Sequence, residues 1–510
     1  MKAKKTFLIN TAVLTITALV LRGIGLVFRV YLSNIIGAQG MGLYQLILSI
    51  YMLASTFATS GISTAVTRLC ADEMVIGSKK SVLKVLRRAV LLSAIVGLSL
   101  NLIVYAFSSP ISTVFIGDAR AIPSVKILSF SLVPMGVSAC FKGFFIARRK
   151  TVLPSVASIF EQIVRISVVM VLLISLKAKD IKTACFYVLL SDVIAEAASC
   201  LFMYFATIND KKKLSVANNN LKIRKGIVSS ILKIAVPITA GKYLTSGLRT
   251  VENLLVPKCL SVFSSNKQAG LETFGLLKGM AMPIIFFPSS FLQAISTLLI
   301  PEISQSAALN EKNVIRKDVE KVISITIIGS ILAGGCFYLC SNKIGVAFYK
   351  SVETGVLIKA LSPLVPIMYL ESVVDGILKG LNKQNSTLLY NTIDSSLRII
   401  LVLIIVPKFG MFGFLAIMVF SNVLTCALNM IKLLRVIILK FDIKNWLVKP
   451  ILSIVVAVLF CRQLLVGVTN NISYIIISIT LISSVYLTMI FVLKATTLTP
   501  VLNLKKDSKH

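Results

Sequence analysis

Charge is what this sequence is shortest of. Only 15% of its 510 residues are Asp, Glu, Lys or Arg, against about 25% in an average soluble domain. That is too little to clothe the surface of a soluble fold. Acids are scarcer still, 20 against 54 Lys plus Arg, and the chain has one histidine, His510, and one tryptophan, Trp446. A lone terminal histidine leaves the nine cysteines without the usual company of a zinc site. Cys336 and Cys340 stand one helical turn apart, but the nine are odd in number, scattered through apolar stretches, and show no pairing pattern. Neither a metal centre nor a disulfide framework is implied, and small apolar filler is the expected role. There is no G-x-x-x-x-G-K-[ST] phosphate loop either; the nearest run, Gly270 to Gly275, lacks the lysine. ATP hydrolysis is excluded on that ground, and no cofactor is implied. No segment between apolar runs is long enough for an external catalytic domain. A membrane glycan polymerase or glycosyltransferase is therefore not expected, and the chain reads as a non-enzyme.

What the chain has in excess is apolar residues, 56% of the total, at a mean hydropathy of +0.90. They come in runs of about 20, the length that crosses roughly 30 Å of hydrocarbon. The runs do not alternate polar with apolar, which excludes a β-barrel. The expected fold class is an all-α polytopic membrane protein. Its fourteen transmembrane helices are expected near 7–34, 40–69, 83–108, 122–147, 152–176, 183–207, 228–257, 271–300, 319–341, 356–381, 386–406, 411–436, 446–466 and 471–493. The opening Lys2, Lys4 and Lys5 precede an apolar run too long for a secretory h-region, so it is read as the first span.

A net charge of +34 would suggest nucleic acid in a soluble protein. In a membrane protein, cytoplasmic loops collect Lys and Arg, and here the cations fall in alternate loops. Lys79, Lys80, Arg87 and Arg88, then Arg148 to Lys150, then Lys211 to Lys213 with Arg224 and Lys225, mark one side. Lys312, Arg316 and Lys317, then Lys432, Arg435, Lys440 and Lys444, mark it again. The expectation is a multi-pass protein of a bacterial cell membrane with both termini cytoplasmic, surrounded by lipid, with no nucleic-acid partner.

The two halves repeat. At an offset of 233 positions Ile62 to Thr64 fall on Ile295 to Thr297, and Lys126, Leu128 and Ser129 on Lys359, Leu361 and Ser362. At the same offset Gly143 falls on Gly376, Glu161 on Asp394 and Arg165 on Arg398. Apolar matches are cheap; an acid and an arginine four apart, recurring together, are not. Six spans per half give both copies one orientation, the parallel-repeat architecture of transporters that rock around a central cavity. The expected organisation is an N-lobe over 1–208, a basic linker over 209–227, a C-lobe over 228–438, and two further spans with a basic tail over 439–510.

Charges inside the spans carry the functional reading, since each costs roughly 2.5–3.5 kcal/mol at the bilayer centre. Arg22, Arg29, Arg68, Lys242, Arg249 and Lys278 lie on the first two spans of the two halves and are candidates for a cationic cavity that holds phosphate or carboxylate. Glu252, three residues after Arg249, is a candidate to neutralise it. Glu161 with Arg165, and Asp394 with Arg398, share helix faces and are expected to neutralise each other. Asp192, Glu196, Glu371 and Asp375 are the acids available for ion coupling or for pairing with Lys142 or Lys379.

Three stretches carry a family resemblance. Residues 37–45 (GAQGMGLYQ), followed by 61–68 (GISTAVTR), resemble the opening of the stage V sporulation protein B group, in the polysaccharide-transporter branch of the multidrug/oligosaccharidyl-lipid/polysaccharide (MOP) exporter superfamily. Residues 275–288 (GLLKGMAMPIIFFP) and 376–384 (GILKGLNKQ) are similar to it too. The resemblance implies two six-helix lobes plus two helices. It also implies flipping of an undecaprenyl-pyrophosphate-linked saccharide, a lipid II-like peptidoglycan precursor, for spore cortex, in the company of cell-wall synthesis enzymes. Related lipid II flippases carry an R-x-x-G-F-x-R-D pattern in the first span. Here Arg22 and Gly25 match it, while Arg29 comes one residue late, turned about 100° around the helix. The alternative is an ion-coupled drug or metabolite antiporter of the same fold, whose usual substrates are cationic.

Overall fold

An apolar run in a bilayer has no water to satisfy its backbone, so it must close its hydrogen bonds within a helix. The computed structural model describes residues 2–76, 79–175, 180–212, 226–293, 312–439, 441–465 and 467–493, and all their regular structure is helical. Among the described residues, eleven helices are long and apolar enough to cross a membrane, and a twelfth is the pair Ala119–Ser129 and Leu132–Ala147, bent by 42°. Two of the twelve are folded in two. Lys2–Ile76 turns at Gly37 (φ 68°) and Gln384–Val436 at Gly410 (φ 57°). A left-handed backbone costs an L-residue about 1–2 kcal/mol but a glycine little. Divided there, the helices make fourteen stretches that coincide with the expected spans. The end of the expected eighth span (294–300), the Ile295 to Thr297 repeat, most of the basic linker (213–225) and the tail (494–510) lie outside the described residues.

The chain groups into two compact units. The first comprises Met1–Phe28, Ile35–Gly275 and Val402–Pro407; the second, Arg29–Asn34, Leu276–Leu401 and Lys408–His510. In the first, Ile62, Val66 and Leu69 pack with Val82, Val85 and Leu86 of the Lys79–Ala106 helix and with Phe141, Phe144 and Phe145 of Leu132–Ala147. The Ile227–Ser264 helix joins this unit through Ile231 and through two hydrogen bonds: Thr250 Oγ1 donates to the Ser49 carbonyl and Asn253 Nδ2 to Ser49 Oγ, both at 3.0 Å. Glycine makes the closest approach there, since a Cβ on Gly275 would strike the Ala38 carbonyl.

In the second unit the Lys312–Tyr349 helix is the axis of the core. Val319, Ile323 and Ile327 pack against Val374 and Ile377, and against Ile454, Ile482 and Tyr486 of the last two helices. The Tyr486 hydroxyl donates to the Ile328 carbonyl at 2.9 Å. Trp446 is buried in the same cluster, edge-on to Phe441.

In both units, hydroxyls on the helices bond back along their own turn. Ser49 Oγ donates to the Gln45 carbonyl (2.8 Å), Thr207 Oγ1 to Met203 (2.7 Å) and Thr326 Oγ1 to Val322 (2.7 Å). That satisfies a polar group without water. The outward faces are apolar instead: Val27, Phe412 and Phe491 are 69%, 80% and 78% exposed. A hydrocarbon solvent removes the cost of that exposure. The cysteines are free, six of them buried among apolar side chains.

Candidate functional site: two intramembrane ion-pair networks and a set of exposed cations

Glu161 and Arg165 sit one turn apart on the Val152–Ser175 helix, and Arg165 Nη2 lies 3.2 Å from Glu161 Oε1. The pair is not closed on itself. Arg165 Nε meets Asp192 Oδ1 at 2.7 Å, from the neighbouring Ile181–Lys212 helix, and Lys142 Nζ of Leu132–Ala147 approaches Glu161 Oε2 at 3.4 Å. Arg165 Nη1 also donates to Gln162 Oε1 at 3.1 Å. One turn beyond Asp192, the buried Glu196 is within electrostatic reach of Glu161, Lys142, Arg165 and Asp192. It has no ion pair within 4 Å among the described residues. Tyr44, from the 37–45 motif, is within reach of Arg165. Three acids thus face two cations across three helices. Moving a charge out of water costs several kcal/mol per ion, and only close, well-formed pairs offset it. The shortest contact, at 2.7 Å, falls on the buried Asp192.

The second unit builds its counterpart from one folded helix. Arg398 Nη2 lies 2.8 Å from Asp394 Oδ2, and the Ser421 hydroxyl joins both, accepting from Arg398 Nη2 and donating to Asp394 Oδ1. Asp394 and Ser421 stand on opposite sides of the turn at Gly410, so the fold-back brings them together. Asp375 pairs with Lys379 Nζ at 2.5 Å on the Val365–Gly380 helix, where Glu371 is half-buried.

Of the acids expected for coupling or pairing, Asp192 and Glu196 therefore join the first network, and Asp375 takes Lys379. Lys142 finds Glu161 rather than Asp192. The expected cationic set is distributed. Arg22, Arg68, Lys242 and Arg249 belong to the first unit and their side chains are exposed; Arg29 and Lys278 belong to the second and are half-buried. Lys278 Nζ sits 6.0 Å from the centre of the Phe414 ring. Glu252 is buried, three residues from the exposed Arg249. Gln162, Ser421 and Tyr44 carry no charge, and nothing in the charge pattern marks them. Only Tyr44 had a signal, its place in the 37–45 motif. Among the described residues, no three His, Cys, Asp or Glu side chains are grouped to hold a metal ion.

Residues 7–307 match the family described as polysaccharide biosynthesis protein. Stage V sporulation protein B of Bacillus subtilis (strain 168) is 23% identical over 449 residues, which span 87% of this chain and 86% of that protein. A solved structure of the lipid II flippase MurJ in an inward closed conformation aligns with a TM-score of 0.73 at 16% identity, over 96% of this chain and 99% of its own. An inward-facing multidrug resistance MATE family transporter of the MOP superfamily aligns with a TM-score of 0.66 at 12% identity, over 82% of this chain and 97% of its own. At such identities the likeness is one of fold.

Proposed function

Because this chain belongs to the polysaccharide biosynthesis protein family, we propose that it is a non-enzymatic flippase that moves an undecaprenyl-pyrophosphate-linked saccharide, a lipid II-like precursor, across a bacterial cell membrane. The two halves of the internal repeat, over 1–208 and 228–438, alternate access to the cargo, with both termini and the 209–227 linker in the cytoplasm. Arg22, Arg29, Arg68, Lys242, Arg249 and Lys278 hold the pyrophosphate, for which guanidinium supplies a paired fork and ammonium a point charge. Enzymes of cell-wall synthesis make and consume the cargo, in spore cortex assembly.

What most supports this reading is the likeness to the MurJ fold over 96% of the chain. The exposure of Arg68, Lys242 and Arg249 adds to it, because an exposed cation is within reach of a ligand. The energetics agree. Each charge crossing the membrane potential is worth about 2.3 kcal/mol per 100 mV. A doubly charged pyrophosphate leaving a negative interior is thus driven by roughly 4–5 kcal/mol without any ATP.

A second reading, an ion-coupled antiporter, is favoured by the MATE likeness and by the surplus acid of the Glu161, Asp192 and Glu196 group. Flipping of labelled lipid II in proteoliposomes separates the two. The flippase is expected to flip it, and Arg22→Ala and Lys278→Ala to slow flipping about tenfold or more, the effect of losing one charge-assisted hydrogen bond. Proton-driven uptake of a cationic dye, with no lipid II flipping, would replace this reading with the antiporter.

A further inference from the structure

The first unit holds a cavity of about 900 Å³ that none of the networks above touches. One wall is the 113–120 turn; the other is the end of the Ile227–Ser264 helix and the start of the Lys267–Phe274 helix. The Ile227–Ser264 helix has 38 residues, about 57 Å at 1.5 Å per residue. That exceeds the roughly 30 Å hydrocarbon core. The cavity therefore opens on the membrane face opposite Gly226, where the basic linker joins.

Its charges are arranged rather than scattered. Asp118 accepts from Arg120 Nε at 3.0 Å and from Nη2 at 2.7 Å. Two of the five guanidinium N–H groups are thus engaged, and three are left to turn elsewhere. Lys258 Nζ crosses from the helix to the Val114 carbonyl at 2.8 Å, which uses one of its three donors. Lys267 has no ion pair among the described residues and is exposed. Three cations thus face one carboxylate that is already engaged. Between them lie the side chains of Ser265 and Gln268, which offer donors and acceptors, and the apolar Leu46 and Val262. Such a mixed lining fits a sugar ring, with its apolar C–H face and polar rim, and the volume is within the roughly 300–1,000 Å³ of small-molecule sites.

We propose that this cavity receives the anionic saccharide headgroup of the cargo once it has crossed. The inference rests on the flippase reading and adds to it a second station, which holds the phosphates and sugar of the headgroup after crossing, apart from the cations that hold the pyrophosphate in transit. An anionic phospholipid headgroup offers the same phosphate chemistry, so the test separates the two sources.

The probe is a water-soluble short-chain analogue of the pyrophosphate-linked saccharide. The readout is the labelling rate of Ser265→Cys, in phosphatidylcholine nanodiscs, by a membrane-impermeant maleimide; Gln268→Cys serves if the first variant is unstable. Saturating analogue is expected to slow labelling about tenfold. Adding Lys258→Glu and Lys267→Glu, or Lys267→Glu alone, is expected to reduce that protection to less than twofold. Equal protection in the charge-reversed variants, or none in the starting variant, overturns the proposal. So does protection by phosphatidylglycerol nanodiscs without analogue, which would make a phospholipid the occupant. Lipid II flipping, assayed separately, keeps the two readings apart. Flipping without protection leaves the flippase and removes the cavity; protection without flipping does the reverse.

Discussion

The same acid–arginine pair is installed in both units and completed differently. In the first, Arg165 bridges Glu161 and Asp192, and Lys142 stands on the far side of Glu161. Three helices are tied by charge, and an acid, Glu196, is left over. In the second, one hydroxyl, Ser421, bridges Asp394 and Arg398. That contact ties together the two arms of the folded helix. A network with a surplus carboxylate has a place for a cation or proton. The first network ties three helices together, and the second braces one helix across its Gly410 turn.

The comparison breaks most easily at its arginines. Arg165→Ala strands Glu161, Asp192 and Glu196 with Lys142 alone, and stranding a buried partner costs about 3–5 kcal/mol. Arg398→Ala leaves Asp394 still bonded to Ser421, so the expected loss is nearer 1.5–3 kcal/mol, the worth of one charged hydrogen bond. Thermal unfolding of the purified variants reads both, and equal losses would erase the distinction between a network and a brace. Next in size is Glu196→Gln. It should leave unfolding within about 1 kcal/mol, because no close ion pair is lost, yet reduce any proton or sodium dependence of flipping severalfold. An unchanged ion dependence would remove Glu196 from coupling. Smallest in its effect on transport is Ser421→Ala, which removes a hydroxyl bonded to two charged groups and is expected to cost about 1.5–3 kcal/mol with flipping intact.

How much of this was legible beforehand follows from which forces are local. The spans were legible because a bilayer imposes length and apolarity on each run separately, and the turns at Gly37 and Gly410 fall in the gaps those runs left. The pairs Glu161 with Arg165 and Asp394 with Arg398 were legible because 3.6 residues per turn places them together. Asp192 and Ser421 were not. Their roles depend on which helix packs beside which, and for Ser421 on the fold-back at Gly410. The outer cavity was hidden for the same reason: the 113–120 turn and Lys258 are far apart in sequence and carry no shared period. The Ile227–Ser264 helix is the instructive case. The internal repeat counts it with the second half, whereas Thr250 and Asn253 bond it to Ser49 of the first unit. A repeat records ancestry, and contacts record packing.

The scarcity of tryptophan has a use. Trp446 is the single indole in 510 residues, and it is enclosed by the core of the second unit with its edge toward Phe441. Excited at wavelengths where tyrosine is dark, the protein emits from one point. Emission colour and quenching therefore give a label-free optical readout of how the last two helices seat on that core.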